Sequence, residues 1–271
     1  MTPCFANSAL VHVRAAHLRR GAKGHLALPV RYGLIDSPQG PALVDTGYDR
    51  ALFSDAELGR RRSLPLRAYA GAFAPELLPA GQTEAFLSRR GLRPGDINLI
   101  LLTHFHADHI GALHRFPKAR IMASARGLAA LQALSPLRRL RHATFAEFLP
   151  PDLPQRLTGF ETRPLRTASP ALPQGHDLFG DGSLLAIPLP GHALGHHGLF
   201  WPATGLLYAA DSHWLPDAPP PPFPGRLVAP DRPGFAASLA AVQAHAATGA
   251  PVVYCHAPGV TPWDEAEQAP C

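Results

Sequence analysis

Thr103-His104-Phe105-His106-Ala107-Asp108-His109-Ile110-Gly111 is the stretch on which the reading of this chain turns. It follows INLILLT (97–103), a continuous apolar run of strand length that suits a strand buried on both faces. Residues two apart in an extended segment point the same way, so His104 and His106 can present imidazoles to one metal. Asp108 and His109 come just beyond, where a turn into a helix can aim them at a second metal nearby. Four potential ligands within residues 104–109, carried on a rigid strand end, point to metal binding.

A metal pair needs more than four ligands, and three other places share the same plan of a polar residue just past an apolar strand. His192 follows SLLAIPLPG (183–191), Asp211 follows GLLYAA (205–210) and His256 follows PVVYC (251–255). Strand ends on one edge of a sandwich converge in space. The rest of the pattern supplies the frame. Residues 27–46 read as two strands around a turn at 37–40, and 81–92 as an amphipathic helix closed by Gly91. A strand over 118–124 leads to a helix over 125–134. From 136 to 173 the pattern loosens into short helices and loops, read as an insertion over the core. A hairpin over 198–211, a proline-rich loop over 215–225, a helix over 233–247 and the strand 251–255 complete the chain. Strand pairs followed by helices, twice over, predict two sheets with helices outside, in one domain over 1–271.

Composition excludes several classes. The chain has 271 residues and is 46% hydrophobic, which rules out collagen-like and wholly disordered proteins. Its apolar runs fall well short of the ~20 residues that span a bilayer, and arginines interrupt what would be a signal region, so a cytoplasmic protein is expected. Cys4, Cys255 and Cys271 form no CxxC pair, which argues against a zinc ribbon, a disulfide scaffold and a thioredoxin-type site. Strand alternation places Cys255 on the face opposite His256, packed rather than liganding. The net charge is +5, but the clusters at Arg60–Arg62 and at Arg138, Arg139 and Arg141 lack interleaved aromatics. They read as solvated surface and argue against a nucleic-acid partner.

HFHADH (104–109) resembles the HxHxDH motif of the metallo-β-lactamase-fold hydrolase superfamily. ALVDTG (42–47) resembles the family's early strand ending in Asp-Thr-Gly. LPGHALGHHGL (189–199) resembles its Gly-His-x-x-Gly-His segment, AADSHW (209–214) its Gly/Ala-Asp strand end, and VVYCHAPG (252–259) its late Gly-His strand end. The resemblance implies an α/β protein built as an αββα sandwich, two mixed β-sheets flanked by helices, with the site at one edge. It implies that His104, His106 and His192 hold one metal, that Asp108, His109 and His256 hold the other, and that Asp211 bridges them. Mostly imidazole ligation favours two zinc ions, with iron, manganese or cobalt as alternatives. Asp45 and His196 would orient ligands from behind. His213 and Trp214 would face the substrate.

The chemistry so implied is hydrolysis of a lactone or ester through a metal-bridging hydroxide, with Asp108 and Asp211 holding the hydroxide and moving its proton. Several stretches resemble the N-acyl-homoserine lactonase branch, which implies a small-molecule substrate, a quorum-quenching role and no membrane partner; a homo-oligomer is compatible with it. That branch carries a tyrosine three residues after the bridging aspartate, where this chain has Trp214. Phe145, Phe148, Leu149, Phe160, Leu165 and Phe223 are expected either to shape an acyl pocket or to close their segments onto the core. The alternatives are a phosphodiesterase or nuclease of the same fold, and a non-catalytic metal-binding sensor.

Overall fold

The computed structural model describes residues 1–271 except 51–62, 65, 68, 70–74, 136, 137, 140, 141, 217, 219–228 and 266–271. Seven strands form the first sheet: β1 (Cys4–Arg14), β2 (His25–Ser37), β3 (Gly40–Val44), β4 (Glu76–Leu77), β5 (Leu99–Leu101), β6 (Arg120–Ala123) and β7 (Leu157–Gly159). Their order is β4-β1-β2-β3-β5-β6-β7, antiparallel as far as β3 and parallel beyond it. The second sheet comprises β8 (Leu165–Arg166), β9 (Gly175–Asp177), β10 (Leu185–Pro188), β11 (His197–Trp201), β12 (Leu206–Ala210) and β13 (Val252–Tyr254). It runs β13-β12-β11-β10-β9-β8 and is antiparallel except between β12 and β13. Two mixed sheets with flanking helices are the αββα sandwich that the motifs implied.

Period-two alternation explains the layers, because successive side chains of a strand leave opposite faces. On β12, Leu206, Tyr208 and Ala210 enter the main core with Phe5, Val44 and Ile100 of the first sheet. Leu207 and Ala209 point the other way and pack with Leu185, Ile187, Phe200 and Val242. Val242 belongs to the long helix Arg232–Ala246, which therefore covers the outer face of the second sheet. That helix starts where the Asp231 side chain accepts a hydrogen bond from the Gly234 N–H and Pro233 occupies its first turn.

Two parts of the chain differ from the pattern reading. β1 was not anticipated: its register shifts between Asn7 and Leu10, and this irregularity breaks the alternation a strand would show. The segment 136–173 is no appendage. β7 extends the first sheet and β8 begins the second, so the segment is the crossover between them. Phe145, Phe148 and Phe160 are buried in the main core, and Leu149 packs against it, so these side chains close the segment instead of lining an acyl pocket. Leu165 is exposed. Phe223 and most of the loop 215–225 lie outside the described residues. Among the described residues no helix is long and apolar enough to cross a membrane.

Backbone at the sheet edge is bent to deliver side chains. Ala210 has φ +45°, a left-handed conformation that costs an L-residue ~1–2 kcal/mol, and the β12–β13 register shifts between Tyr208 and Ala210. The bend turns Asp211 out of the strand. Gly191 has φ +124°, and a Cβ there would lie 2.0 Å from the Phe235 backbone nitrogen. Gly191→Ala is therefore expected to push the loop bearing His192 off the long helix at a cost of ~2–4 kcal/mol. An unchanged thermal midpoint in that variant would refute this packing.

Candidate metal centre

β5 ends at Leu101, and the chain bends at Thr103 and is extended again at His106, where the one-turn helix Ala107–Ile110 begins. This brings Asp108 and His109 round towards His104 and His106. Gly111 closes the turn because the Gly47 carbonyl lies 2.5 Å from where a Cβ would stand. The backbone of Thr46 donates to the His109 carbonyl at 2.8 Å, pinning the helix to the end of β3.

The remaining candidates arrive from the second sheet. The ligand atoms of His104, His106 and His192 lie within 4.8 Å of one another. His192 Nε2 is 2.9 Å from His106 Nδ1 and 3.3 Å from Asp211 Oδ2. His109 Nε2 is 3.2 Å from Asp211 Oδ1, and His256 Nε2 is 3.1 Å from Asp211 Oδ2 and 3.2 Å from Asp108 Oδ2. The structure thus gathers all seven residues, with the Asp211 carboxylate between the two histidine groups.

Hydrogen bonds on the far side of the rings set which nitrogen faces inward. Asp45, fully buried with φ +57°, accepts from the Thr103 N–H at 2.8 Å, from Thr103 Oγ1 at 2.9 Å and from His109 Nδ1 at 2.9 Å. With its proton directed to Asp45, Thr103 Oγ1 accepts from His104 Nδ1 at 3.1 Å. His256 Nδ1 donates to the Pro29 carbonyl at 2.7 Å. His109 and His256 therefore turn Nε2 towards Asp211, and in His104 Nε2 is the nitrogen left for a ligand. These atoms, His104 Nε2, His109 Nε2 and His256 Nε2, together with Asp211 Oδ1, are buried and make no hydrogen bond. Buried polar atoms are almost always satisfied, so a cluster of orphans converging on one carboxylate fits a metal. The donor set, mostly imidazole with carboxylate, suits a borderline divalent ion.

Electrostatics divide the imidazoles: against burial, Asp45, Asp108 and Asp211 hold His109 well above the usual imidazole range, and Cys255, Asp211 and Asp108 do the same for His256. Burial pushes His104 and His192 well below the usual imidazole range, and His106 down to about 4, leaving them neutral donors. Burial would raise the Asp211 carboxyl, but the imidazoles of His256, His109 and His192 outweigh it and hold the group well below the carboxylate range. Asp108 is likewise held at about 2 against burial by His109 and His256.

His196 cannot be a ligand: its Nδ1 donates to the Leu189 carbonyl at 2.7 Å, and its Nε2 accepts the Asp211 backbone N–H at 3.2 Å. It fixes the backbone of Asp211. His213 Nδ1 accepts the Leu215 N–H at 2.9 Å. Trp214 donates its indole N–H to Asp211 Oδ2 at 3.3 Å and lays its ring against His256, with centroids 4.8 Å apart. A void of about 10 Å³, the space of roughly one water, lies among His192, Asp211, His213 and Trp214, with Leu18, Leu215 and Phe235 as its apolar wall.

Three participants escaped the sequence reading. The Tyr48 and Tyr69 hydroxyls bond at 2.6 Å, and the Asp108 charge acts on both. Tyr48 directly follows the Asp-Thr-Gly strand end and could have been found there; no pattern marks Tyr69. Arg31, buried in β2, donates to the Tyr254, Ala257 and Gly259 carbonyls and pairs with Asp264, holding the segment that carries His256. Cys255 was expected to point away from His256, yet the ligand atoms of His109, Asp211, Cys255 and His256 all lie within 4.8 Å of one another. β13 stops at Tyr254, so strand alternation no longer governs the two residues beyond it.

A family model described as the metallo-beta-lactamase superfamily matches residues 26–261. A probable metallo-hydrolase of Mycobacterium tuberculosis is 32% identical over 189 residues, covering 68% of this chain and 56% of its own length, so the chain spans little more than half of that relative. The N-acyl homoserine lactonase AttM of Azorhizobium caulinodans is 25% identical over 223 residues, 75% of this chain and 74% of its own. Among solved structures, a variant of AiiA from B. thuringiensis with N-decanoyl-L-homoserine bound superposes with a TM-score of 0.65 at 18% identity, covering 95% of this chain and 94% of that one. AidC, a dizinc quorum-quenching lactonase bound to its product, gives 0.61 at 17% identity, covering 94% and 87%. At these identities the structural likeness is one of fold.

Proposed function

The chain belongs to the metallo-β-lactamase superfamily, and from that premise we propose that it is a metal-dependent hydrolase of a lactone or ester. In this reading His104, His106 and His192 hold one divalent ion, Asp108, His109 and His256 hold a second, and Asp211 is shared between them. The observation that carries it is that His104 Nε2, His109 Nε2, His256 Nε2 and Asp211 Oδ1 are all buried without a hydrogen bond, with His109 and His256 turned to the Asp211 carboxylate at 3.2 and 3.1 Å. Zinc is the proposed metal on the imidazole-rich donor set, a reading that a relative of dizinc description supports. N-acyl-homoserine lactones are the proposed substrates, with quorum quenching as the corresponding role, because AttM is a sequence relative and AiiA and AidC share the fold.

When bound, divalent ions supply Lewis acidity that polarises a carbonyl oxygen and lowers the pKa of a water. The chain's own residues do the rest. Asp108, ionised and with 11% of its side chain exposed, is the carboxylate that reaches towards solvent. It is placed to accept a proton from the attacking water and return it to the leaving alkoxide. Asp211, at 1% exposure, is held by the His196 and Trp214 contacts, so its oxygens stay aimed at both histidine groups.

Metal-reconstituted protein assayed against lactones, aryl esters, thioesters and bis-nitrophenyl phosphate tests the proposal. Lactone or ester turnover is expected. Turnover confined to the phosphodiester, together with nucleic-acid binding that weakens steeply with salt, would move the assignment to a phosphodiesterase. Trp214 allows a sharper check. Trp214→Phe removes the N–H from Asp211 and is expected to lower kcat/KM about tenfold, the ~1.4 kcal/mol of a hydrogen bond to a charged group. Trp214→Tyr is expected to raise turnover of N-acyl-homoserine lactones. Unchanged rates in both variants would remove Trp214 from the site's chemistry.

A further inference from the structure

The Cys255 thiol sits on the core side of the half-site formed by His109, Asp211 and His256, fully buried like the residues around it. The four ligand atoms span at most 4.8 Å, close to the distance across a single ion with bonds of ~2.0 Å to nitrogen and ~2.3 Å to sulfur. Three of those residues offer atoms that no hydrogen bond occupies: His109 Nε2, Asp211 Oδ1 and His256 Nε2. Asp108 approaches the same half-site through His256 Nε2, at 3.2 Å. In the superfamily motif that VVYCHAPG resembles, glycine precedes the histidine; here that position adds a soft donor.

We propose that Cys255 supplies a sulfur ligand to the metal position of His109, Asp211 and His256, a proposal that rests on the two-metal reading above. A thiol that ligates a divalent ion releases its proton on binding. Cys255 Sγ lies 3.4 Å from the Arg31 carbonyl, to which the Tyr208 hydroxyl also donates at 3.2 Å, and that hydroxyl is itself in contact with the thiol. With Sγ turned to an ion, that carbonyl keeps the Tyr208 donor. A sulfur donor on one side of an otherwise nitrogen and oxygen centre makes the two positions unequal, with the Cys255 half favouring softer ions.

Cobalt(II) reads this directly. Metal-free protein is reloaded with cobalt, its cobalt content is measured, and the absorption spectrum is recorded for the wild type, Cys255→Ser and Cys255→Ala. The expected result is a near-ultraviolet sulfur-to-cobalt charge-transfer band in the wild type that is lost in both variants, while cobalt content stays at about two per chain. Cobalt bound at that level without the band, or a band that survives both substitutions, overturns the sulfur ligand and leaves the two-metal reading intact. Failure to bind cobalt at all overturns both. The wild-type spectrum decides even where a variant folds poorly.

Discussion

Asp211→Ala is expected to abolish turnover, lowering kcat/KM by about a thousandfold or more, equivalent to ~4 kcal/mol of barrier. The carboxylate lies within 3.3 Å of imidazoles from both halves of the centre: His192 on one side, His109 and His256 on the other. Neither His196 nor Trp214 can take its place, because His196 uses both ring nitrogens and Trp214 offers a donor only. Metal content should fall with activity, since the alanine leaves the two histidine groups without a shared negative charge. Asp211→Asn is the control of shape: it keeps the size and one oxygen but removes the charge, and is expected to be nearly as inactive. Near-wild-type rates in the alanine variant, measured with metal in excess, would exclude the bridging role.

Asp45→Ala carries the largest expected stability effect, a loss of ~3–5 kcal/mol. Asp45 is fully buried and accepts from the Thr103 backbone, the Thr103 hydroxyl and His109. Its removal leaves those donors without an acceptor where water cannot replace it. Roughly 10 °C in thermal midpoint is expected for a chain of this length, with weakened metal retention because His109 loses the bond that sets its tautomer. Asp45→Asn separates two explanations. Asparagine tolerates the φ of +57° as well as aspartate does, but it turns an NH2 towards donors. If the asparagine variant matches the wild type, the backbone conformation matters and the carboxylate does not.

Much of this was legible in the residue order because the decisive features are local. His104, His106, Asp108 and His109 fall within one strand end and one turn, where spacing alone dictates direction. His192, Asp211 and His256 could be found because each ends an apolar run, and the edge of a two-sheet sandwich brings such ends together. β1, by contrast, was hidden: its register irregularity between Asn7 and Leu10 erases the period that marks a strand. β7 was hidden because three residues carry no period, and it is a strand only through its pairing with β6, more than thirty positions earlier.

From the order of residues alone came the class of fold, the seven candidate donors and the strand ends that carry them, since those follow from periodicity and spacing within short stretches. Only the folded chain decided which ring nitrogens face inward, that His196 is committed to the Leu189 carbonyl and the Asp211 backbone, and that Cys255 lies against the centre it was expected to avoid. Those outcomes depend on partners such as Pro29, Asp45 and Arg31, which lie scores of residues or more from the side chains they orient. A hydrogen bond or a shared cavity between distant segments is a property of their packing, and no local window of sequence contains it.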